Sequence, residues 1–286
     1  AMMRRKKIVF TVVGYAEVGL GHAFRAVMLA HELVQYDLLF VCEERSSLAI
    51  DYIRSHNYDV IVSTNGLMAE TVISLTPDLV INDILDTSLE YMNKLSSNSL
   101  KTVNFEDMGS GYEKANLVIN ALYPHQLPQK NVLVGAKYFC LRDEFLYIGS
   151  HQRDESVKNV LITFGGVDEG DVTKKVLLEI AETCQQHQLS IEIIVGPGYK
   201  YFQDLKQTID GYAGLNCRLI KHTKKISEHM IKADIALTSG GRTVLELASL
   251  KVPTIVICQN ERETRHTFAS SENGIVNLGH REHIAE

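Results

Sequence analysis

Two glycines, a histidine and an arginine occur together between Gly19 and Arg25, directly before a helical pattern of apolar residues. A glycine-rich turn at the start of a helix leaves backbone N–H groups free, and the helix dipole there favours an anionic ligand. The same dipole favours the neutral ring of His22, which can then act as a base. Gly21, His22 and Arg25 are therefore the first candidate site residues.

A second junction of strand, glycine turn and helix occurs between Thr238 and Glu246. Its glycines would present N–H groups, and its serine a hydroxyl, to a phosphate at the helix N-terminus. The Glu246 carboxylate would accept hydrogen bonds from ribose hydroxyls, but Thr243 and Glu246 also fit a capping box, which the two residues alone favour. The candidate nucleotide-binding residues here are Ser239, Gly240, Gly241, Arg242, Thr243 and Glu246.

Two further loops follow strands in the same half of the chain. Gly165 and Gly166 either let the backbone approach a ligand closely or make a tight turn, and the sequence favours neither. Asn260 and Glu261 follow another strand, where Asn260 also fits helix capping. Polar loops that each open a helix are what a nucleotide-sugar site needs, so these four residues join the candidates.

Short apolar runs alternate with helical patterns along the chain, which predicts an α/β fold. Continuous apolar strands indicate parallel sheets that helices cover on both faces. The alternation lapses between residues 121 and 153, where Pro124 and Pro128 occur, and then restarts. The pattern thus predicts two Rossmann-like, doubly wound domains that face each other across a cleft, residues 1–150 and 151–286.

Ligands of parallel sheets bind beyond the carboxyl ends of the strands. This rule selects the turn from Tyr15 to His22, Asp83 with Asp86, and Glu106 with Asp107. The predicted strands span residues 8–13, 38–42, 60–62, 79–82, 102–105, 117–119, 160–164, 190–195, 216–220, 235–238, 254–258 and 275–278. The predicted helices span residues 22–35, 47–55, 68–75, 88–95, 171–187, 201–212, 226–232, 242–250 and 261–272.

The composition is that of a globular protein, with 45% hydrophobic and 22% charged residues among 286. A net charge of −6 and the lack of a Lys/Arg stripe argue against a nucleic-acid partner. No apolar stretch approaches the roughly 20 residues of a membrane span, and no signal peptide is recognisable. The five cysteines have neither disulfide nor metal-site spacing, so we expect reduced thiols and a cytoplasmic protein.

Several familiar ligand-binding signatures are missing from the sequence. There is no Gly-x-x-x-x-Gly-Lys-Ser/Thr loop, which argues against P-loop phosphoryl transfer, and no third glycine at the dinucleotide spacing after Gly21. Neither His-Glu-x-x-His nor Cys-x-x-Cys occurs. We therefore expect neither a metal ion nor an organic cofactor.

Three segments together match the motifs of one group of enzymes. They are Gly-x-Gly-His-x-x-Arg from Gly19 to Arg25, a strand followed by Gly-Gly-x-Asp up to Asp168, and a glycine turn, helix and polar turn from Ser239 to Glu261. On these motifs the chain resembles the GT-B-fold nucleotide-sugar enzymes, and most closely the UDP-sugar hydrolase family of pseudaminic acid biosynthesis. That family acts on UDP-2,4-diacetamido-2,4,6-trideoxy-β-L-altropyranose.

The resemblance implies a GT-B-like fold, a UDP-sugar substrate and a catalytic role for His22 with Asp83. His22 would activate the water that attacks the anomeric carbon, and UDP would leave after C–O cleavage without a metal ion. Asp107 lies in a further segment, Asn-Phe-Glu-Asp, that also looks similar to the family.

The same resemblance implies that the second domain holds UDP. Gly240, Gly241 and Arg242 would lie near the diphosphate and Glu246 on the ribose. Asn260 and Glu261 would lie beside the phosphates or the sugar.

One segment departs from the family pattern. The family has Asp-His-Tyr at the end of the fourth strand, whereas here Asp83 is followed by Ile84 and Leu85. Two alternatives to hydrolysis therefore stand. One is a glycosyltransferase with a UDP-sugar donor, since the motifs are shared in part with the N-acetylglucosaminyltransferase of peptidoglycan synthesis. The other is an inactive nucleotide-sugar-binding module. The sequence leaves the oligomeric state open.

Overall fold

The computed structural model describes residues 4–124 and 130–283. The chain divides into two compact units, Ala1–Cys140 and Leu141–Glu286. The division lies before Leu141 rather than after residue 150, because Phe145 is buried in the core of the second unit. Of the two prolines that mark the predicted connection, Pro128 lies outside the described residues.

The strands of the first unit are short and rich in buried apolar residues, as parallel strands covered on both faces require. They are β1 (Lys7–Val12), β2 (Asp37–Glu43), β3 (Val60–Ser63), β4 (Leu79–Asp83), β5 (Thr102–Phe105), β6 (Leu117–Asn120) and β7 (Val132–Val134). All pair in parallel, in the order β3-β2-β1-β4-β5-β6-β7. The strand order reverses between β1 and β4, and such a switch point is where ligands of these sheets bind.

Helices cover the two faces of this sheet. They are α1 (Gly21–Glu32), α2 (Ser47–Ser55), α3 (Met68–Ser74) and α4 (Leu89–Ser97). On one face Phe10 stacks on Phe40, with ring centroids 4.8 Å apart, and α1 and α2 pack against them. On the other face Val9 and Val80 pack with buried residues of α3 and α4. The alternating strand positions thus point into two separate apolar layers, which fixes the sheet between them.

The second unit repeats the plan with a six-stranded parallel sheet. Its elements are α5 (Asp143–Tyr147), β8 (Asn159–Thr163), α6 (Val172–Gln186), β9 (Ser190–Val195), α7 (Phe202–Asp210), β10 (Cys217–Lys221), α8 (Ile226–Met230), β11 (Ile235–Thr238), α9 (Arg242–Ser249), β12 (Thr254–Cys258) and β13 (Ile275–His280). The strand order is β10-β9-β8-β11-β12-β13, so the switch point lies between β8 and β11.

The structure confirms the predicted α/β class with two Rossmann-like sheets, and all twelve predicted strands are present. The predicted helix over residues 261–272 is wrong. Two 3₁₀ turns, Glu263–Arg265 and Ser271–Asn273, lie there instead, because Glu263 and His266 are buried in contacts with another loop. β7 and α5 lie in the segment from 121 to 153, where the pattern predicts no element. No described helix is both long and apolar enough to cross a membrane.

Candidate functional site

A tight turn after β1 brings the start of α1 beside the end of β4. Gly19 has a φ of +77°, a conformation that side chains rarely adopt, and its N–H donates to the Tyr15 carbonyl at 2.8 Å. The helix then begins at Gly21. His22 and Arg25 therefore lie at the carboxyl edge of the sheet, one helical turn apart.

The imidazole of His22 is hydrogen-bonded to Asp83, with Nδ1 2.5 Å from Oδ1. The side chain of Asp83 is 1% exposed and that of His22 is 11% exposed. Because a carboxylate only accepts hydrogen bonds, Nδ1 of His22 carries a proton. In the neutral form of the ring, the lone pair is then on Nε2. In this arrangement the carboxylate orients the base and stabilises the imidazolium that forms when the base takes a proton.

Arg25 binds both oxygens of the same carboxylate. Its Nε donates to Oδ2 of Asp83 and its Nη2 to Oδ1, each at 2.6 Å. Burial alone would raise the pKa of Asp83, but the charges of Arg25 and His22 and their hydrogen bonds outweigh it and lower the pKa to about 2. Asp83 is therefore ionised at neutral pH, as the hydrogen bond from His22 requires.

A second carboxylate, that of Glu106, lies beside Arg25, with Oε1 4.0 Å from Nη1. Glu106 is buried and accepts the N–H groups of Ala121 at 2.7 Å and Leu122 at 3.2 Å. Burial raises its pKa, although Arg25 and the N–H groups act in the opposite direction. The Arg25 guanidinium also lies over the ring of Phe105, 5.0 Å from its centroid. Arg25 is thus enclosed within this charged cluster.

Asp107 connects two loops of the first unit through hydrogen bonds. It is fully buried, and its Oδ1 accepts the N–H groups of Thr87 and Gly109, both at 2.9 Å. Its Oδ2 accepts hydrogen bonds from the Thr87 hydroxyl at 2.5 Å and the Asn104 amide at 2.8 Å. These four bonds tie the loop after β4 to the loop after β5. The expected substrate contact of Asp107 stays a prediction.

The glycine loop of the second unit, Ser239–Gly241, connects β11 to α9. The Gly240 N–H donates to Oε2 of Glu263 at 2.8 Å, and the Gly241 carbonyl lies 3.0 Å from Nε2 of His266. A methyl group on Gly240 would lie 2.9 Å from the Glu263 carbonyl oxygen, whereas one on Gly241 would meet open space. The two glycines therefore differ: the first packs against the protein and the second leaves room for a ligand.

Glu246 forms an ion pair within the second unit. Its Oε2 accepts hydrogen bonds from Nε and Nη2 of Arg142, at 2.9 and 2.6 Å, and the residue is 4% exposed. The capping box predicted for Thr243 and Glu246 is wrong, because the N-cap of α9 is Gly241 and no side chain caps it. The expected ribose contact of Glu246 stays a prediction.

Gln259 connects the loop after β12 to the loop after β8. Its amide Nε2 donates to Oδ1 of Asp168 at 2.9 Å and to the Phe164 carbonyl at 3.3 Å. Asp168 in turn binds the first residues of α6, since its carboxylate accepts the N–H groups of Val172 at 2.9 Å and Thr173 at 2.8 Å. The N-cap of this helix is Asp171. Because β8, β11 and β12 are adjacent strands, the loops that follow them share one edge of the sheet.

The remaining candidates lie in these same loops. Gly165 is exposed with a φ of +80°, and Gly166 is half-buried. The Asn260 side-chain oxygen accepts the Glu263 N–H at 3.0 Å, and Glu261 is exposed. The structure thus brings the candidates of the second unit to one sheet edge, and those of the first unit other than Asp107 into one cluster.

Five further residues bind the side chains or backbone of the candidates, each within its own unit: Glu106, Arg142, Gln259, Glu263 and His266. The rule on strand ends selects Glu106, and Gln259 and Glu263 lie in the polar turn after the predicted strand 254–258. The sequence gives these three residues no partner. His266 lies inside the predicted helix over residues 261–272, and no local signal marks it or Arg142.

Within residues 4–124 and 130–283, no group of three or more His, Cys, Asp or Glu side chains is arranged to hold a metal ion. The first unit provides a histidine base on an ionised carboxylate. The second provides a helix start whose N–H groups and dipole favour a phosphate.

Residues 159–269 match the glycosyltransferase family 28 C-terminal domain. The matched segment begins with β8 and includes the glycine loop, α9 and β12.

Two relatives match nearly the whole chain. An uncharacterized protein of Methanocaldococcus jannaschii, MJ1062, is 27% identical over 274 residues, which cover 89% of this chain and 56% of that protein. The spore coat polysaccharide biosynthesis protein SpsG of Bacillus subtilis is 25% identical over 279 residues, which cover 93% of this chain and 81% of that protein. The chain thus spans about half the length of the archaeal relative.

Solved structures with the same fold include MurG of Acinetobacter baumannii, with a TM-score of 0.65 and 14% identity over 96% of this chain and 86% of that chain. The spinosyn rhamnosyltransferase SpnG, complexed with thymidine diphosphate, has a TM-score of 0.62 and 10% identity over 98% of this chain and 88% of that chain. These likenesses show the fold, two parallel-sheet Rossmann-like domains as in GT-B glycosyltransferase structures.

Proposed function

We propose that this chain is a nucleotide-sugar-using enzyme of polysaccharide biosynthesis. In this proposal His22 of the first unit is the general base, and the second unit binds the nucleoside diphosphate. The proposed reaction is displacement of UDP from the anomeric carbon of a UDP-sugar by an oxygen nucleophile. The observation that carries it is the hydrogen bond between His22 and Asp83, with Arg25 on the same carboxylate.

The proposed chemistry follows from the proton positions in this cluster. Nε2 of His22 takes the proton of the nucleophile while the nucleophile's oxygen forms a bond to the anomeric carbon. The bond from that carbon to the diphosphate oxygen breaks, and UDP leaves with the electron pair. Asp83 stabilises the imidazolium, and Arg25 holds the carboxylate in place. A positioned base of this kind contributes about 10²- to 10⁴-fold to the rate.

The start of α9 supports the assignment of the nucleotide to the second unit. Its N–H groups and dipole favour a diphosphate, and the open space at Gly241 lets a ligand approach the backbone. The match to the glycosyltransferase family 28 C-terminal domain covers this region. We propose that the diphosphate contacts Ser239, Gly241 and Arg242.

Water is the first nucleophile that we propose, which makes the chain a UDP-sugar hydrolase that acts on a UDP-diacetamido-trideoxy sugar. The Gly-x-Gly-His-x-x-Arg motif around His22 supports this choice. The hydroxyl of an acceptor is the second candidate, which makes the chain a glycosyltransferase. The family 28 match supports this alternative, and the similarity to SpsG supports a role in polysaccharide biosynthesis for either enzyme. His22 would deprotonate both nucleophiles in the same way.

The test measures UDP release from a panel of UDP-sugars, including UDP-diacetamido-trideoxy sugars, with and without sugar acceptors. Release without an acceptor indicates the hydrolase, and acceptor-dependent release indicates the glycosyltransferase. The H22Q variant should lower either rate about 10²- to 10⁴-fold and leave UDP binding by calorimetry unchanged. H31Q is the matched control, because His31 lies exposed on the same helix.

Two outcomes would overturn the proposal. UDP binding without turnover of any sugar, under either condition, would indicate a binding module instead of an enzyme. Turnover that H22Q does not slow would remove His22 as the base.

A further inference from the structure

The glycine loop is held from one side by residues 259–266, which we call the clamp segment. The clamp segment begins at Gln259, directly after β12. A 3₁₀ turn and irregular backbone in this segment replace the helix that the sequence predicts there. Two of its buried side chains, those of Glu263 and His266, bind the backbone of the glycine loop.

Glu263 binds backbone N–H groups of two loops with one oxygen. Its Oε2 accepts the N–H of Gly240 at 2.8 Å and that of Gln259 at 2.9 Å. The Glu263 N–H is itself held by the side-chain oxygen of Asn260 at 3.0 Å. The carboxylate thus fixes the spacing between the end of β11 and the end of β12. It also engages the Gly240 N–H that the sequence assigns to a phosphate.

His266 binds the next residue of the loop. Its Nε2 donates to the Gly241 carbonyl at 3.0 Å, and its Nδ1 accepts the N–H of Ala269 at 3.2 Å. This pair of partners fits one species only, the neutral ring with its proton on Nε2. Burial favours the same species, because it lowers the pKa of His266 to about 4.

We propose that Glu263 and His266 are positioning residues for the nucleotide. They fix the N–H of Gly240 and the C=O of Gly241, so that the N–H groups at the start of α9 have their binding geometry before a diphosphate arrives. A loop that is ordered in advance loses less conformational entropy on binding, which raises affinity. This inference rests on the proposed binding of UDP by the second unit.

A consequence concerns which groups meet the diphosphate. Since Glu263 occupies the Gly240 N–H, that group supports the loop rather than the ligand. The N–H of Val244 in the first turn of α9 donates to the Gly241 carbonyl at 3.3 Å. In this proposal the N–H of Gly241 is therefore the donor of the loop that meets the diphosphate. In this proposal Glu263 favours nucleotide binding through its hydrogen bonds to the loop. Its negative charge does not help, because it would repel the anionic diphosphate.

Paired substitutions separate hydrogen bonding from charge and size. E263Q keeps an oxygen that accepts both N–H groups, while E263M has a similar size and no acceptor. H266Q can donate to the Gly241 carbonyl and accept from Ala269, while H266F fills the space and does neither. The controls are E272Q and H187Q, since both residues are exposed in the same unit.

The experiment measures UDP affinity by calorimetry and amide hydrogen exchange of residues 239–243 without nucleotide. E263M and H266F should weaken UDP binding about tenfold, the equivalent of one lost hydrogen bond, and should exchange faster in this segment but not in β8 or β9. E263Q and H266Q should stay within about threefold of the unaltered protein. If H266F does not fold, the Glu263 pair decides alone.

Unchanged affinity and exchange in E263M would overturn the inference. If the unaltered protein binds no nucleoside diphosphate, the proposed function fails. The exchange measurement then still shows whether Glu263 and His266 hold the loop.

Discussion

His22 and His266 both follow strands of parallel sheets, but their ring nitrogens have different kinds of hydrogen-bond partner. His22 contacts the carboxylate of Asp83, and 11% of its side chain is exposed. The ring nitrogens of His266 bind backbone groups of Gly241 and Ala269, and the residue is 5% exposed. A histidine on a carboxylate can take up a proton and be stabilised as imidazolium. One surrounded by backbone groups stays neutral and serves as a fixed donor.

The carboxylates of the two regions differ in the same way. The charge of Arg25 holds the pKa of Asp83 at about 2 in spite of burial. Glu263 is bound by backbone N–H groups, and burial raises its pKa, with Asp168 adding to the effect and Arg281 opposing it. The hydrogen-bonded charge pair of Arg25 and Asp83 therefore favours ionisation of that carboxylate more than backbone N–H groups favour ionisation of Glu263. This difference agrees with the two proposals, proton transfer in the first region and positioning of the glycine loop in the second.

The largest effect that separates the two regions should come from removing the Asp83 charge. D83L leaves the Arg25 guanidinium buried without its carboxylate, which should lower the free energy of unfolding by about 3–5 kcal/mol in urea denaturation. The double variant R25M/D83L removes both charges and should recover part of this loss. D154A, which breaks an exposed ion pair with Lys158, should leave stability unchanged. A D83L protein as stable as D154A would contradict the role of the buried pair.

A smaller effect should appear in the part of the pH dependence of stability that comes from His266. The pKa of His266 is about 4 when folded and 6.5 in its ordinary state, so its contribution to stability is complete above pH 6.5 and declines as the pH falls towards 4. Between pH 7 and pH 5 the unaltered protein should lose about 2 kcal/mol more than H266Q. Urea denaturation at both pH values measures this difference. Equal losses would mean that His266 accepts a proton in the folded protein.

The smallest effects should distinguish the two glycines of the loop. G240A places a methyl group 2.9 Å from the Glu263 carbonyl oxygen and should cost about 1–3 kcal/mol of stability. G241A places its methyl group in open space, at a φ of −119°, and should leave the melting temperature unchanged while it weakens UDP binding. Thermal denaturation and calorimetry on both variants test this. If G241A binds UDP normally, the diphosphate does not approach that glycine.

Much of the fold was predictable because its signals are local. Apolar runs such as Ser190–Val195 and Thr254–Cys258 need only their own side chains to indicate buried strands, and the structure has both with those bounds. The predicted helix at residues 261–272 failed because buried polar contacts of Glu263 and His266 with the glycine loop outweigh a periodic pattern. Such contacts involve residues far apart in sequence and leave no periodicity.

The sequence predicted which residues belong to the candidate site, but only part of their hydrogen-bond partners. Glycine turns before helices identified His22, Gly240 and Gly241, since a strand, a glycine turn and a helix in succession form a local signal. The sequence also assigned a phosphate to the Gly240 N–H, which the structure shows bound to Glu263. The acceptor that a backbone N–H group binds depends on how neighbouring loops pack, and the local sequence does not specify this packing.

The sequence by itself determined that two parallel sheets form and that a histidine begins the first helix after β1. Only the tertiary structure decided that this histidine meets Asp83, 61 residues away, and that Arg25 shares the carboxylate. The physical reason is the strand order. β4 pairs directly with β1, and this pairing brings the end of one strand beside the helix that follows the other. Local periodicity predicts strands, whereas their order in the sheet sets which charges meet.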